Sequence, residues 1–241
     1  MNKNPDSPPE KLILPEASET RYEFKLACEP HQVAQARNWI RLHPEGFRVA
    51  YPLRIVNNLY FDTAEQESFN HNLAGIGSRS KLRLRWYGEP PDKIVSDAIL
   101  ELKSKKNMFG EKRRQRLSAL LDFKRSFAAI LDQIHENVPA AWHLWLAVAK
   151  QPTLLNHYRR EYYVSYDGIV RVTLDYDQAA YDQRLSQRPN LTRRLPAEDF
   201  AVIEIKATPD NYERLEEVMG YFPVQRSRNS KYVQGLLNGQ L

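Results

Sequence analysis

The chain has 241 residues, 42% of them hydrophobic and 27% charged, enough for one large domain with a full core and no need of a second. Its 35 basic and 30 acidic residues leave a formal charge of +5, which admits an anionic partner but makes the placement of the charges decisive. The single cysteine, Cys28, excludes an internal disulfide and a cysteine zinc cluster, and no stretch approaches the roughly 20 apolar residues of a membrane helix. The opening M-N-K-N-P-D-S-P-P-E lacks the apolar run of a secretory signal, so a cytoplasmic location is expected.

Residues 1–19, rich in proline, read as a flexible lead-in, and a domain is expected over 20–241. Residues 20–28 alternate as a strand, and Pro30 opens a helix over 31–42 with Val33, Ala36, Trp39 and Ile40 on one face. Strands are expected over 49–62, 81–87, 98–105 and 110–117, each bounded by Gly, Pro, Asp or Asn. The apolar spacing from 118 to 150 is helical, with a break at Pro139. Strands resume over 155–166, 169–176 and 200–207, and two short helices follow over 212–219 and 230–237. The stretch 182–196 reads as a loop covering one end of the sheet. About eight antiparallel strands with helices between them make an α+β domain, and closing the strands into a barrel with the helices packed outside removes the exposed edges.

Side chains two apart in a strand share a face. Glu23-Phe24-Lys25, Glu101-Leu102-Lys103 and Glu204-Ile205-Lys206 therefore each put a carboxylate and an ammonium on one face and an apolar residue on the other. Lys81, Arg83 and Arg85 form a cationic row backed by Leu82 and Leu84, and Lys112, Arg114 and Arg116 form a second. Arg171, Thr173 and Asp175 alternate with Val170, Val172 and Leu174, and Arg159 with Glu161, or Arg160 with Tyr162, gives another charged face. An ordinary half-buried sheet accounts for any one of these strands. Repetition on at least five strands favours a convergent cationic surface instead. Such a surface suits a chain of phosphates, with Arg offering a planar fork and Lys a point charge. The interspersed Glu23, Glu101 and Glu204 supply the oxygen donors that a hard divalent cation, Mn2+ or Mg2+, requires. The six histidines lack the H-x-x-x-H or H-E-x-x-H spacing of metal sites and read as surface or core residues.

The segments R-Y-E-F-K, N-N-L-Y-F-D-T, K-L-R-L-R-W-Y-G, I-L-E-L-K, G-E-K-R-R, Y-R-R-E-Y-Y, R-V-T-L-D, V-I-E-I-K and R-N-S-K-Y, in this order from about Thr20 to Leu237, resemble the triphosphate tunnel metalloenzyme superfamily. Within it they resemble the polyphosphate polymerase domain of the vacuolar transporter chaperone (VTC) family. The first strand has only Glu23-x-Lys25 and lacks the E-x-E-x-K signature of the adenylate cyclase and thiamine triphosphatase branch, which favours the VTC-like branch. The resemblance implies an eight-stranded tunnel that binds the triphosphate of ATP and moves its γ-phosphoryl onto polyphosphate with manganese or magnesium. By motif, it assigns catalytic phosphate-binding roles to Lys25, Arg83, Arg85, Lys103, Arg160, Arg171 and Lys231, and a metal-binding role to Glu204; Glu101 and Glu23 remain metal donors on the reading of the strands alone. Lys81, Lys112, Lys206 and Ser230 join as substrate-binding residues. On the G-E-K-R-R strand the spacing selects Gln115, so Arg114 or Arg116 beside it is expected to supply the basic group.

If water reaches the γ-phosphorus, the same site is a triphosphatase or polyphosphatase; without turnover it is a module that binds polyphosphate or triphosphate. A nucleic-acid module is a weaker reading, since basic residues confined to a narrow bore do not admit a duplex. A membrane-protein partner is compatible with the resemblance, although the chain itself carries no spanning segment.

Overall fold

A computed structural model describes residues 21–89, 94–106, 109–196, 200–227 and 230–237; the flexible lead-in expected over 1–19 lies outside them. In chain order the elements are β1 (Tyr22–Cys28), α1 (Val33–Arg41), β2 (Arg48–Asp62), α2 (Glu67–Leu73), β3 (Ser78–Tyr87), β4 (Ile94–Val95), β5 (Ile99–Lys106) and β6 (Phe109–Arg116). Then come β7 (Leu121–Asp122), α3 (Phe127–Glu136), α4 (His143–Val148), β8 (Gln151–Val164), β9 (Arg171–Asp182), β10 (Ala201–Ala207), α5 (Tyr212–Gly220) and α6 (Lys231–Leu237). Eight strands form one antiparallel sheet in the order β1-β10-β9-β8-β2-β3-β5-β6, and β4 pairs with β7 in a small separate sheet.

The alternation in the sequence decides which face is which. Leu82, Leu84, Leu100 and Leu102 of β3 and β5 turn outward and bury against Ile130 and Ile134 of α3 and Leu146 of α4. At the other end of the sheet Phe24, Leu26, Val172, Leu174, Ile203 and Ile205 do the same against Ala36 and Ile40 of α1 and Leu215 and Val218 of α5. Each such aliphatic side chain contributes about 1.5–3 kcal/mol on full burial, so the helices hold the outer face. Ser126 begins α3 by accepting a hydrogen bond from the Ala129 N–H at 3.3 Å.

The expected α+β class and the eight antiparallel strands are present, but the closed barrel is not: the hydrogen-bonded sheet is open, with β1 and β6 at its ends. Two features account for this. Ser227 N–H donates to the Lys25 carbonyl at 2.7 Å and Leu26 bridges to Arg226, so the segment entering α6 occupies part of the edge of β1 that closure would use. The edge strand β6 also carries Lys112, Arg113, Arg114 and Arg116, and charged side chains on an edge oppose further pairing. The sheet nonetheless curls until its first and seventh strands touch, Lys103 Nζ of β5 lying 3.7 Å from Glu23 Oε2 of β1. Register irregularities between β2 and β8 and between β8 and β9 add bend and twist to the middle of the sheet.

Helix α2 was not expected from the sequence, and α6 was. Asp62, fully buried at the end of β2, accepts the Ser68 and Phe69 N–H groups of α2 at 2.9 and 3.0 Å and the Tyr232 hydroxyl of α6 at 2.6 Å. Tyr232 stacks on Tyr60 with ring centroids 4.9 Å apart, and Gly235 lies so close to β8 that a Cβ there would meet Leu154 Cδ2 at 2.6 Å. We expect Gly235→Ala to destabilise the fold by about 1–3 kcal/mol through overpacking, read as a lower urea midpoint with an unchanged slope.

Candidate functional site

Curling turns the polar face of the sheet inward. Register places Lys25 opposite Glu204 and Glu23 opposite Lys206 on β1 and β10, and Arg83 opposite Glu101 and Lys81 opposite Lys103 on β3 and β5. Glu101 in turn faces Arg114 of β6, Arg160 of β8 faces Asp175 of β9, and Arg171 faces Lys206. The result is a hollow lined with cations in which a few buried carboxylates are shared among many partners.

The first group centres on Glu101, 3% exposed. Its carboxylate takes Arg83 Nη2 at 2.6 Å, Lys112 Nζ at 2.5 Å, Arg114 Nε at 3.1 Å and, more distantly, Arg85 Nη1 at 3.8 Å. Burial alone would raise its pKa, but Arg83, Arg85 and Lys112 overcome this and hold it well below the ordinary carboxylate range. One carboxylate does not neutralise four cations. Burial, followed by repulsion from Arg83, Arg85 and Arg114, accordingly pushes the Lys112 ammonium well below the ordinary lysine range in spite of Glu101. Arg85 is also fixed by the Asn58 side-chain oxygen at 2.8 Å and the Tyr158 hydroxyl at 3.3 Å, and Arg83 by the Tyr60 hydroxyl at 3.3 Å.

The second group is built on Asp175 and Glu204. Asp175, fully buried, receives a two-pronged contact from Arg160 at 2.5 and 2.6 Å and the Lys231 ammonium at 2.7 Å. Glu204 receives Lys206 at 2.6 Å, Arg160 at 3.3 Å, Lys25 at 3.4 Å and Lys231 at 3.9 Å. Burial opposes the charge on both acids. Arg160 and Lys231 outweigh it at Asp175, and Lys206, Lys25, Arg160 and Lys231 at Glu204, so both stay ionised. Glu23 joins this side through Lys25 at 3.1 Å and Lys206 at 3.8 Å. The Tyr158 ring lies under both Arg160 and Lys231, 5.3 and 4.9 Å from its centroid.

Most of the residues singled out in the sequence thus meet in the hollow. Ser230 is reached by Lys81 Nζ at 2.9 Å, and on the sixth strand the register turns Arg114 toward Glu101, with Gln115 on the opposite face. Arg116 does not join them: it is solvent-exposed and pairs with Asp97 at 3.4 Å. The three expected metal ligands are not gathered either, since Glu101 sits in one group and Glu204 and Glu23 in the other. Among the described residues no group of three or more His, Cys, Asp or Glu side chains is arranged to hold a metal ion. Asp175 was missed as a site residue. Its signal was present, since it lies two residues after Thr173 on the face of Arg171.

The donor chemistry still fits a hard divalent cation that arrives with phosphate. Magnesium and similar ions are commonly held by one or two carboxylates, with phosphate oxygens and water completing the shell. Glu204 is a buried oxygen donor, and opposite it across the β10–β9 ladder the Thr173 hydroxyl is buried with no hydrogen-bond partner among the described residues.

An antiparallel α+β fold whose sheet wraps arginines, lysines and shared carboxylates defines a protein with a strongly cationic interior. The VTC domain family profile matches residues 20–238, and the chain belongs to that family. The comparison with curated proteins finds no match. Among solved structures, the chain is similar to a candidate adenylate cyclase from Vibrio parahaemolyticus at 13% identity, covering 90% of this chain and 97% of that one with a TM-score of 0.49. It is similar to a Pyrococcus horikoshii OT3 protein at 16% identity, covering 90% and 99%, with a TM-score of 0.44. At such values the family match alone carries the assignment. No helix among the described residues is long and apolar enough to cross a membrane.

Asp175→Ala leaves Arg160 and Lys231 buried without their nearest carboxylate and is expected to cost about 3–5 kcal/mol in urea unfolding. The depressed acids also set a pH dependence. Their contribution is complete above the unfolded carboxylate range and is lost as pH falls through the lower folded values. As far as these groups are concerned, stability holds from neutrality to about pH 5 and declines below it. In Glu101→Gln the acid decline is expected to be shallower.

Proposed function

We propose that the chain is a polyphosphate polymerase-type phosphotransferase that moves the γ-phosphoryl of ATP onto a polyphosphate chain. One observation supports this above the others: the hollow holds more cations than carboxylates, and each buried carboxylate is shared by several of them, Glu101 by Arg83, Arg85, Lys112 and Arg114. A phosphate chain supplies the missing negative charge. Arg83, Arg85 and Arg160 present planar forks to its oxygens, while Lys25, Lys103, Arg171 and Lys231 line its path; Lys112, Arg114, Lys206 and Ser230 flank them.

Catalysis in this reading is positioning and electrostatics. Arg160 and Lys231, held by Asp175, are fixed before substrate arrives, so little reorganisation is needed when charge spreads over the transferred phosphoryl. Glu204 with phosphate oxygens would hold Mn2+ or Mg2+, which supplies charge neutralisation between bridging oxygens. The attacking group is a terminal phosphate oxygen, so the residues need only align it with the leaving oxygen and keep water away. If water takes that place, the same residues serve a triphosphatase.

A binding module without turnover is the second reading. Its support is that the structure pairs Glu23, Glu101, Asp175 and Glu204 with cations and gathers no three of them for a metal among the described residues.

Purified protein incubated with ATP and Mn2+ is expected to yield long-chain polyphosphate and ADP, with Glu204→Gln and Arg83→Ala losing at least about 100-fold, in the range of a lost transition-state contact. Free phosphate without polymer would replace the polymerase by a hydrolase. Tight tripolyphosphate binding, seen as a rise in melting temperature, with no turnover and no metal dependence would replace both by the binding module.

A further inference from the structure

The lysines of the hollow differ in one respect. Lys25, Lys103, Lys112, Lys206 and Lys231 each have a carboxylate within ion-pair distance, from 2.5 Å at Lys112–Glu101 to 3.7 Å at Lys103–Glu23. Lys81 has none among the described residues. Its ammonium donates to Ser230 Oγ at 2.9 Å and lies 5.5 Å from the centroid of the Tyr232 ring. The charged groups that act on it most strongly are cations: Lys25 on β1, Lys103 on β5, and Arg79 and Arg83 on its own strand. Leaving one partly buried ammonium uncompensated among four other cations is costly unless an anion is meant to occupy the place.

The surroundings are built and rigid. Tyr232 is locked by Asp62 and stacked on Tyr60, and the seating of Gly235 against Leu154 fixes α6 across this end of the sheet. Ser230 and Lys231 are carried on that helix entry, and Lys231 is tied to Asp175. Its neighbour Ser230 is thereby set next to Lys81. We propose that Lys81 and Ser230 form a subsite for the terminal phosphoryl group of a phosphate chain, so that the chain's end lies against α6. This rests on reading the hollow as a phosphate site and adds where the chain terminates. A terminal phosphoryl carries more charge than an internal one, which matches a lysine that has no carboxylate within ion-pair distance among the described residues.

The proposal has a protonic signature. In the free protein, burial and then Lys25, Lys103, Arg79 and Arg83 bring the Lys81 pKa down to about 7. Above that pH the amine is mostly neutral, and an arriving phosphate restores its charge by drawing a proton from solution. Lys25, whose pKa is raised by Glu204 and Glu23 against the effect of burial, takes up none, and Lys112, which burial and its cationic neighbours also lower, is present in every variant and cancels from the comparison.

The test is calorimetric binding of tripolyphosphate at pH 8 in two buffers of different ionisation enthalpy, comparing wild type with Lys81→Met, Lys81→Arg and Ser230→Ala. Wild type is expected to take up close to one proton more per ligand than Lys81→Met, about 0.9 by simple titration. Lys81→Met is expected to bind about tenfold or more weakly, and Ser230→Ala to weaken by a smaller factor. Lys81→Arg, whose side chain stays charged, should keep most of the affinity and lose the extra proton. It decides the matter even if the methionine variant folds poorly. Unchanged affinity and proton balance in Lys81→Met, or full proton uptake in Lys81→Arg, would overturn the subsite while leaving the hollow a phosphate site. Failure of wild type to bind tripolyphosphate would overturn the proposed function and the subsite together.

Discussion

Repulsion among like charges is the condition that the rest of this molecule answers. Two cations about 4 Å apart repel by about 4 kcal/mol at the effective dielectric near a protein surface, and a whole domain is stable by only about 5–15 kcal/mol. Arg83, Arg85, Lys112 and Arg114 crowd a single carboxylate, and Arg160 and Lys231 crowd Asp175 and Glu204. The inner face therefore makes a poor core on its own. Cohesion comes from the other side of the same strands, where Leu82, Leu84, Leu100 and Leu102 meet one set of helices and Phe24, Leu26, Ile203 and Ile205 meet another. The period of two serves both ends at once in the strands that carry most of the core, where Glu23, Arg83, Glu101 and Glu204 on the inside are each followed by an apolar residue, Phe24, Leu84, Leu102 and Ile205, on the outside.

The same balance explains why the polar residues of the hollow are so heavily cross-linked. Asn58 holds Arg85 while its own amide donates to Asn156, and Arg85 and Arg83 each reach a tyrosine hydroxyl. A guanidinium anchored this way keeps its orientation when its ion pair is exchanged for another anion. Asp62 plays the corresponding part for the helices, joining α2 and α6 through one buried carboxylate. The position of Lys231 is thus set from two directions, by Asp175 inside the hollow and by the neighbouring Tyr232 outside it.

What the sequence reveals and what it conceals divide along physical lines. The E-x-K units and the K-L-R-L-R row are legible because strand geometry alone sends alternate residues to one face, and the eight strands follow from the same alternation. The sixth strand is less legible: motif spacing points to Gln115, whereas pairing with β5 turns Arg114 toward Glu101. Helix α2 escapes notice because its N–H groups are satisfied by Asp62, several residues earlier and in a strand, without a local capping pattern. Barrel closure and the grouping of the three glutamates are long-range outcomes. Residues 226–227 lie along β1, and Glu101 is separated from Glu204 by the curl of the sheet, neither of which any short window encodes. The lack of a carboxylate beside Lys81 among the described residues is of the same kind, since it depends on what the neighbouring strands bring to it.

The pairing of β1 with β10 also sets an order of assembly. The first strand stays without a hydrogen-bonded neighbour in the sheet until residues 201–207 have been made, and Lys231 follows later still. During synthesis, Glu23 and Lys25 therefore wait through most of the chain for Glu204 and Lys206, while the hairpins from β2 to β6 have their partners nearby. Until the C-terminal segment returns to β1, the interior that gathers these cations lacks one of its walls.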